Sequence, residues 1–311
     1  VRAGARMSAC VVIGAVFAGG CEQPPVVGPE PLGTVAPVLT GGVEVPAAAR
    51  GVEIRVVPVF DAGGAIGAAL APYEGVPVGA DPLLLHRWRE AGLRLVAVPE
   101  RELGRTLAPL RPARLVEATW WADIPSWRAL YSGAWFDRLA VDTGAGVRTL
   151  GAGRVRLLVR AWFEPMIEGG SIVTGARLEL VPQHQVAPTR GTLADLAGAG
   201  ELRGAGDEGE AFGALALGFG ASGEMAYVIV GESPDVDWRD PDAPTGGSAG
   251  VVGPVPARVR TLGEAMLNDE PVVPKPSDQG RPTRLPEPVR VMIVIRPRLG
   301  LGGRAGGEGA P

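Results

Sequence analysis

Two neighbouring segments constrain this chain most. "RVRLLVRAWF" (154–163) and "SIVTGARLELV" (171–181) are rich in branched residues, and "EPMIEGG" between them reads as a hairpin loop. From residue 139 onward the pattern stays β: "EMAYVIVG" (224–231) and "VRVMIVIRP" (289–297) predict two further strands. Between the strands lie a short Leu/Ala stretch and Gly-rich loop (190–208) and Pro/Asp/Gly-rich loops (232–256 and 268–288). A helix is expected within "ARVRTLGEAML". Gly 47 and Pro 30 make about a quarter of the 311 residues, yet 46% are hydrophobic. Both facts hold together if ordered β segments alternate with Gly/Pro-rich loops.

The preceding stretch mixes strand and helix. "VEIRVVPVF" (52–60) reads as a strand. "DPLLLHRWREAG" is punctuated as a helix, with Asp81 as cap, Pro82 at the first position and Gly92 as stop. "LRLVAV" (93–98) is a short apolar strand. Residues 100–108 place Leu103 and Leu107 four apart on a second helix, and "RLVEATWWA" (114–122) predicts another strand. The expected fold class is α+β: a small helix-containing α/β module (51–136) followed by a β-rich antiparallel module (137–299), with a disordered tail at 300–311.

The N-terminus, "VRAGARMSACVVIGAVFAGGCEQPP", has the parts of an export signal. Arg2 and Arg6 supply positive charge, and Met7 to Ala18 form an apolar stretch too short to span a membrane, which takes roughly 20 residues. Small residues Ala18, Gly19 and Gly20 precede Cys21. This resembles the lipobox of bacterial lipoproteins, with Ala18 where Leu is usual; a plain secretory signal is the other reading. The resemblance implies a signal peptide (1–20), lipidation of Cys21, a Pro/Gly-rich tether (21–50) and attachment to a membrane through an N-terminal lipid. The implied location is the cell envelope, facing the periplasm, and Glu22 after the Cys implies the outer membrane in that family.

Residue counts narrow the chemistry. Both cysteines, Cys10 and Cys21, lie in the N-terminal segment, so no disulfide or thiolate metal site is expected in the body. With only His86 and His184, a multi-histidine metal site is not expected either, nor is a cofactor. A net charge of −4 gives no general footprint for nucleic acid.

Several motifs invite stronger readings. "LAVDTGAG" (139–146) looks like an aspartic-protease strand. A protease of the retroviral type would need Asp142 from each of two copies, because two close carboxylates must share one proton. "VIVG" (228–231) stands where that family has an apolar-Gly segment. The glycines around Asp142 favour a turn instead. "GFGASG" fits G-x-G-x-x-G at Gly218, Gly220 and Gly223 but leads into a strand, so a loop between strands is expected rather than a dinucleotide site. "GGSAG" around Ser248 lacks the strand and helix of a nucleophile elbow. "SPDVDWRDPDAP" clusters Asp235, Asp237, Asp240 and Asp242, a solvated acidic loop with calcium as the alternative.

Residues 153–184, 223–232 and 289–299 resemble, in strand order, the C-terminal half of bacterial outer-membrane secretins, with "VRTLGEAML" loosely in place of that family's Leu-Gly-rich motif. The likeness implies a secretion-system component. Last, Trp120, Trp121, Trp127, Tyr131 and Trp135 fall within 16 residues. They read either as core joining the two modules or as a contact surface for a glycan or a partner protein. The functional expectation is a non-enzymatic, lipid-anchored envelope protein acting in binding or assembly. The alternatives are the Asp142 protease and the secretin-related component.

Overall fold

The computed structural model describes residues 49–61, 64–168, 171–187, 209–239, 258–269 and 288–300. The expected signal segment, Cys21, nearly all of the expected tether, residues 190–208, Ser248, Asp240, Asp242 and the residues after Gly300 lie outside the described residues.

The first part of the chain supplies β1 (Arg50–Phe60), α1 (Ala65–Leu70), α2 (Pro82–Glu90), β2 (Leu93–Pro99), α3 (Glu100–Leu107), β3 (Arg111–Pro112), β4 (Glu117–Trp121) and β5 (Ile124–Ser132). The remainder supplies β6 (Leu139–Asp142), β7 (Val147–Leu150), β8 (Gly153–Glu168), β9 (Ser171–Val186), β10 (Gly209–Ala211), β11 (Leu217–Ala221), β12 (Met225–Gly231), α4 (Leu262–Leu267), β13 (Asn268–Asp269) and β14 (Val289–Leu299). Among the described residues strands dominate and the ladders are antiparallel, with one isolated parallel bridge between Asp142 and Thr261, so the fold is α+β.

A seven-stranded sheet runs β2-β12-β14-β1-β3, with β4 also on β1 and β13 also on β14. A five-stranded sheet runs β10-β9-β8-β5, with β11 also on β9, and β6-β7 form a separate hairpin. Segments 51–136 and 137–299 therefore interleave. The larger sheet takes β1 and β2 from the first and β12 and β14 from the second, while β5 joins the smaller sheet.

Period-2 alternation explains the layering. Val52 and Ile54 of β1, Tyr227 and Ile229 of β12, and Ile293 and Ile295 of β14 meet Val155, Leu157 and Val159 of β8 and Leu178 and Leu180 of β9 in one core. The other face of the larger sheet forms a second core. There Val57, Val59, Val228, Val230, Met292 and Val294 pack under Ile66 and Leu70 of α1, Leu103 and Leu107 of α3, and Trp238. A sheet covered on both faces needs continuous apolar runs rather than alternation, which is what "AYVIV" and "VMIVI" supply.

Helix α2 begins as its sequence dictates: the Asp81 side chain accepts the Leu83 N–H, and Pro82 occupies the first turn. Trp88 is fully buried, and its indole N–H donates to the Leu215 carbonyl at 2.7 Å. Gly92 ends the turn at φ 75°, and a β-carbon there would collide with the side chain of Thr261. Thr261 in turn caps α4 in a reciprocal capping box with Glu264. Thus "VRTLGEAML" is a capped helix seated against the entrance to β2.

Three expectations change. "EPMIEGG" is not a loop over most of its length: β8 continues to Glu168 and β9 starts at Ser171, so the pairing extends five residues past Phe163, from Glu164↔Gly175 to Glu168↔Ser171. In "GFGASG", Gly218 and Gly220 lie inside β11, and only Ser222–Glu224 form the connection to β12. A β-carbon at either glycine would meet the end of a long side chain, Arg177 at Gly218 and Met166 at Gly220. The strand expected over 114–122 is shorter, Glu117–Trp121.

Candidate functional site

Alternation on β8 and β9 puts a polar and aromatic row on the face of the five-stranded sheet turned away from the core. Arg154 lies opposite Gln185, Arg156 opposite Gln183, Arg160 opposite Glu179 and Trp162 opposite Arg177. Arg154 and Arg156 each donate through Nε to the facing Gln side chain at 2.7 Å. Arg160 pairs with Glu179. The Arg160 guanidinium also stands 4.9 Å from the Trp127 ring centroid and 5.5 Å from that of Trp162, and Arg154 stands 4.7 Å from Trp135. The Trp162 indole N–H donates to Glu164 at 3.1 Å.

The ends of this row are open and its middle is closed. Trp135 is 52% exposed, and Arg160 and Glu179 are partly exposed. Arg156, Leu158, Val181 and Gln183 between them are buried. Four arginines against Glu164 and Glu179 give the face an excess of positive charge, in a chain whose net charge is −4.

The five aromatic residues expected to cluster are divided. Trp127 and Trp135 belong to this row. Trp120 and Trp121 sit on β4 opposite Glu53 and Val52, so they point to opposite faces of the larger sheet. Trp121 and Tyr131 pack against the inter-sheet core, whereas Trp120 lies over Gly51. Trp162, Arg154 and Arg160 complete the row, and the alternation of "RVRLLVRAWF" was the signal for them.

Asp142 closes a turn. It ends β6, and its carboxylate accepts the Gly144 N–H at 2.9 Å, while Thr143 donates from both its backbone N–H and its hydroxyl to the Gly146 carbonyl. Gly144 has φ 78°, and a β-carbon there would press on Glu90 at the end of α2. A cavity of about 540 Å³ lies between this turn, Arg87 and Glu90 of α2, and Phe212–Leu215. In the "VIVG" segment of β12, Val228 and Val230 belong to the helix-side core, and Gly231 packs against Gly263 of α4.

The described part of the acidic loop is engaged with its own chain. Asp237 accepts the Arg239 N–H at 2.9 Å, and Asp235 lies 3.9 Å from Arg258. Among the described residues, no group of three or more His, Cys, Asp or Glu is placed to hold a metal ion. His86 is exposed beside Glu90, and His184 is buried and stacked on Phe136 at 5.7 Å.

Two charged groups stand out electrostatically. Burial acts to raise the Glu53 carboxyl, but the hydrogen bond from Arg55, the charges of Arg296 and Arg55, and a hydrogen bond from Arg298 outweigh it and hold the pKa below the ordinary glutamate value. Arg94 is shifted down, first by burial and then by the charge of Arg89. No protein family model, curated protein or solved structure matches the chain.

Proposed function

We propose that this chain is a non-enzymatic, lipid-anchored protein of the bacterial cell envelope, held through Cys21 and binding a partner at the outer face of its five-stranded sheet. The observation that carries the reading is the row of Trp127, Trp135 and Trp162, each stacked by an arginine on a face directed away from both cores. Tryptophan and arginine are the residue types enriched at protein interfaces. Four arginines against Glu164 and Glu179 on this face suit acidic side chains of an envelope protein better than an uncharged glycan. Cys21, the short apolar stretch before it and the Pro/Gly-rich segment after it support the anchor. Asp142 keeps a structural role in this reading, because its carboxylate is spent on its own turn.

Two measurements test it. Metabolic labelling with a fatty acid should mark the native chain and not Cys21→Ser; label that persists in Cys21→Ser rejects the anchor. Envelope cross-linking should yield a discrete protein adduct that Arg154→Glu and Trp135→Ala remove while the melting temperature stays within a few degrees. An adduct unchanged in both variants rejects the surface.

A further inference from the structure

The entrance to β2 holds a second feature, independent of the outer-face reading. A cavity of about 270 Å³ is lined by Glu74, Val76, Leu85, Arg89, Arg94 and Trp238, among others. Arg94 is on the helix side of the larger sheet, and its side chain is only 5% exposed. Its terminal amino groups are taken: one meets Glu74 at 3.2 Å, the other the carbonyls of Ser233 and Val236. Its Nε is buried without a partner, and a buried donor left unpaired is costly.

Positive charge gathers on Glu74. Arg89 reaches the same Glu74 oxygen at 3.3 Å, and Arg239 lies 3.9 Å from the other oxygen. Three guanidiniums thus converge on one carboxylate. The other acids nearby are engaged elsewhere: Glu232 with Arg290 at 2.6 Å, Asp237 with the Arg239 N–H, and Glu90 with His86 at 3.3 Å. Tyr73 is likewise committed, donating to Glu102 and accepting from Thr106. Burial first and then the charge of Arg89 shift Arg94 down, against the opposing charges of Glu74, Glu232 and Asp237.

We infer that this cavity is the seat of a small organic anion, a carboxylate with a compact apolar body. The carboxylate would supply the second negative charge beside Glu74 and accept from Arg89, while the Arg94 guanidinium, stacked 4.3 Å from the Trp238 ring centroid, adds its charge. Val76, Leu85 and Trp238 would enclose the apolar part. An arginine fork recognises a carboxylate by charge-assisted hydrogen bonds, and the walls give the contacts that a hydrated inorganic ion does not need.

Benzoate is a suitable probe. With the full chain at constant ionic strength, benzoate in place of chloride should raise the melting temperature, and the shift should grow with the logarithm of concentration. Arg89→Gln, at a partly exposed position, should weaken binding about tenfold or more. Val76→Phe, which fills the cavity and leaves the charges, should abolish the shift. The inference is overturned if benzoate does no more than chloride, if Arg89→Gln binds as tightly as the native chain, or if inorganic phosphate stabilises the protein and benzoate does not.

Discussion

The two sheets use arginine in opposite ways. On the helix side of the larger sheet, Glu53 is 3% exposed and receives Arg55 at 2.7 Å, Arg296 at 3.0 Å and Arg298 at 3.3 Å. Arg296 also reaches Glu100 at the start of α3, so one carboxylate ties β1, β14 and α3 together. On the outer face of the smaller sheet, Arg160 and Glu179 make the same kind of pair with side chains 38% and 25% exposed. The partners are alike, but their surroundings differ. A buried charge that loses its partner cannot turn to water, so its pairing holds the fold together. An exposed pair is screened and contributes little to stability, leaving the same groups free to meet another molecule.

The largest test breaks the buried cluster. Glu53→Ala should cost about 3–5 kcal/mol in denaturant unfolding, because the buried Arg55 loses this carboxylate and Arg296 loses one of its two. A loss below ~1 kcal/mol would erase the contrast. Acid should act in the same direction. With Glu53 held below its ordinary value, the unfolded chain takes up the proton first as the pH falls. Stability is therefore full above the ordinary glutamate pKa and is lost as the pH drops through the lowered folded value. Glu53→Gln should flatten that acid slope.

The tryptophans sharpen the comparison at an intermediate size. Trp121→Ala should cost about 2 kcal/mol, roughly half the loss for a fully buried indole, since Trp121 is half-buried against the inter-sheet core. Trp135→Ala should cost about 0.5–1 kcal/mol, the worth of an exposed cation–π contact. Equal losses in the two variants would mean that the outer row is as structural as the core.

Asp142 gives the smallest effect. Asp142→Asn should stay within about 0.5 kcal/mol of the native chain, because asparagine accepts the Gly144 N–H as well as aspartate does. Loss of a proteolytic activity in that variant, with folding intact, would reverse this assignment.

Local chemistry was legible in the sequence and long-range pairing was not. Asp81, Pro82 and Gly92 announce α2 because a capping acceptor, a fixed φ and a left-handed stop are properties of single residues. The branched runs of β8, β9, β12 and β14 are equally plain. By contrast, "IPSWRALYS" hides β5: its pairing with β8 is interrupted between Ile124 and Arg128 and again between Ala129 and Tyr131, which breaks the alternation that would reveal it. The division at residue 136 failed to anticipate that β1 seeks β14, since nothing within a strand names its neighbour. For the candidate surface, Trp127 and Trp135 were visible as part of an aromatic cluster. Their arginine companions alternate visibly along β8, but that Arg160 meets Trp127 follows only from the pairing of β5 with β8.

The pairing of β1 with β14 also sets a schedule. Arg50 meets Leu299 and Phe60 meets Val289, so one edge of an early strand waits for the last one. A chain made or exported from its N-terminus passes through a long interval with "VEIRVVPVF" emerged and that edge open to any other extended segment. Such distant contacts make folding slow, and an open apolar edge invites association. Escort by a holding chaperone until residue 299 has cleared the ribosome or the translocon is the need this topology creates.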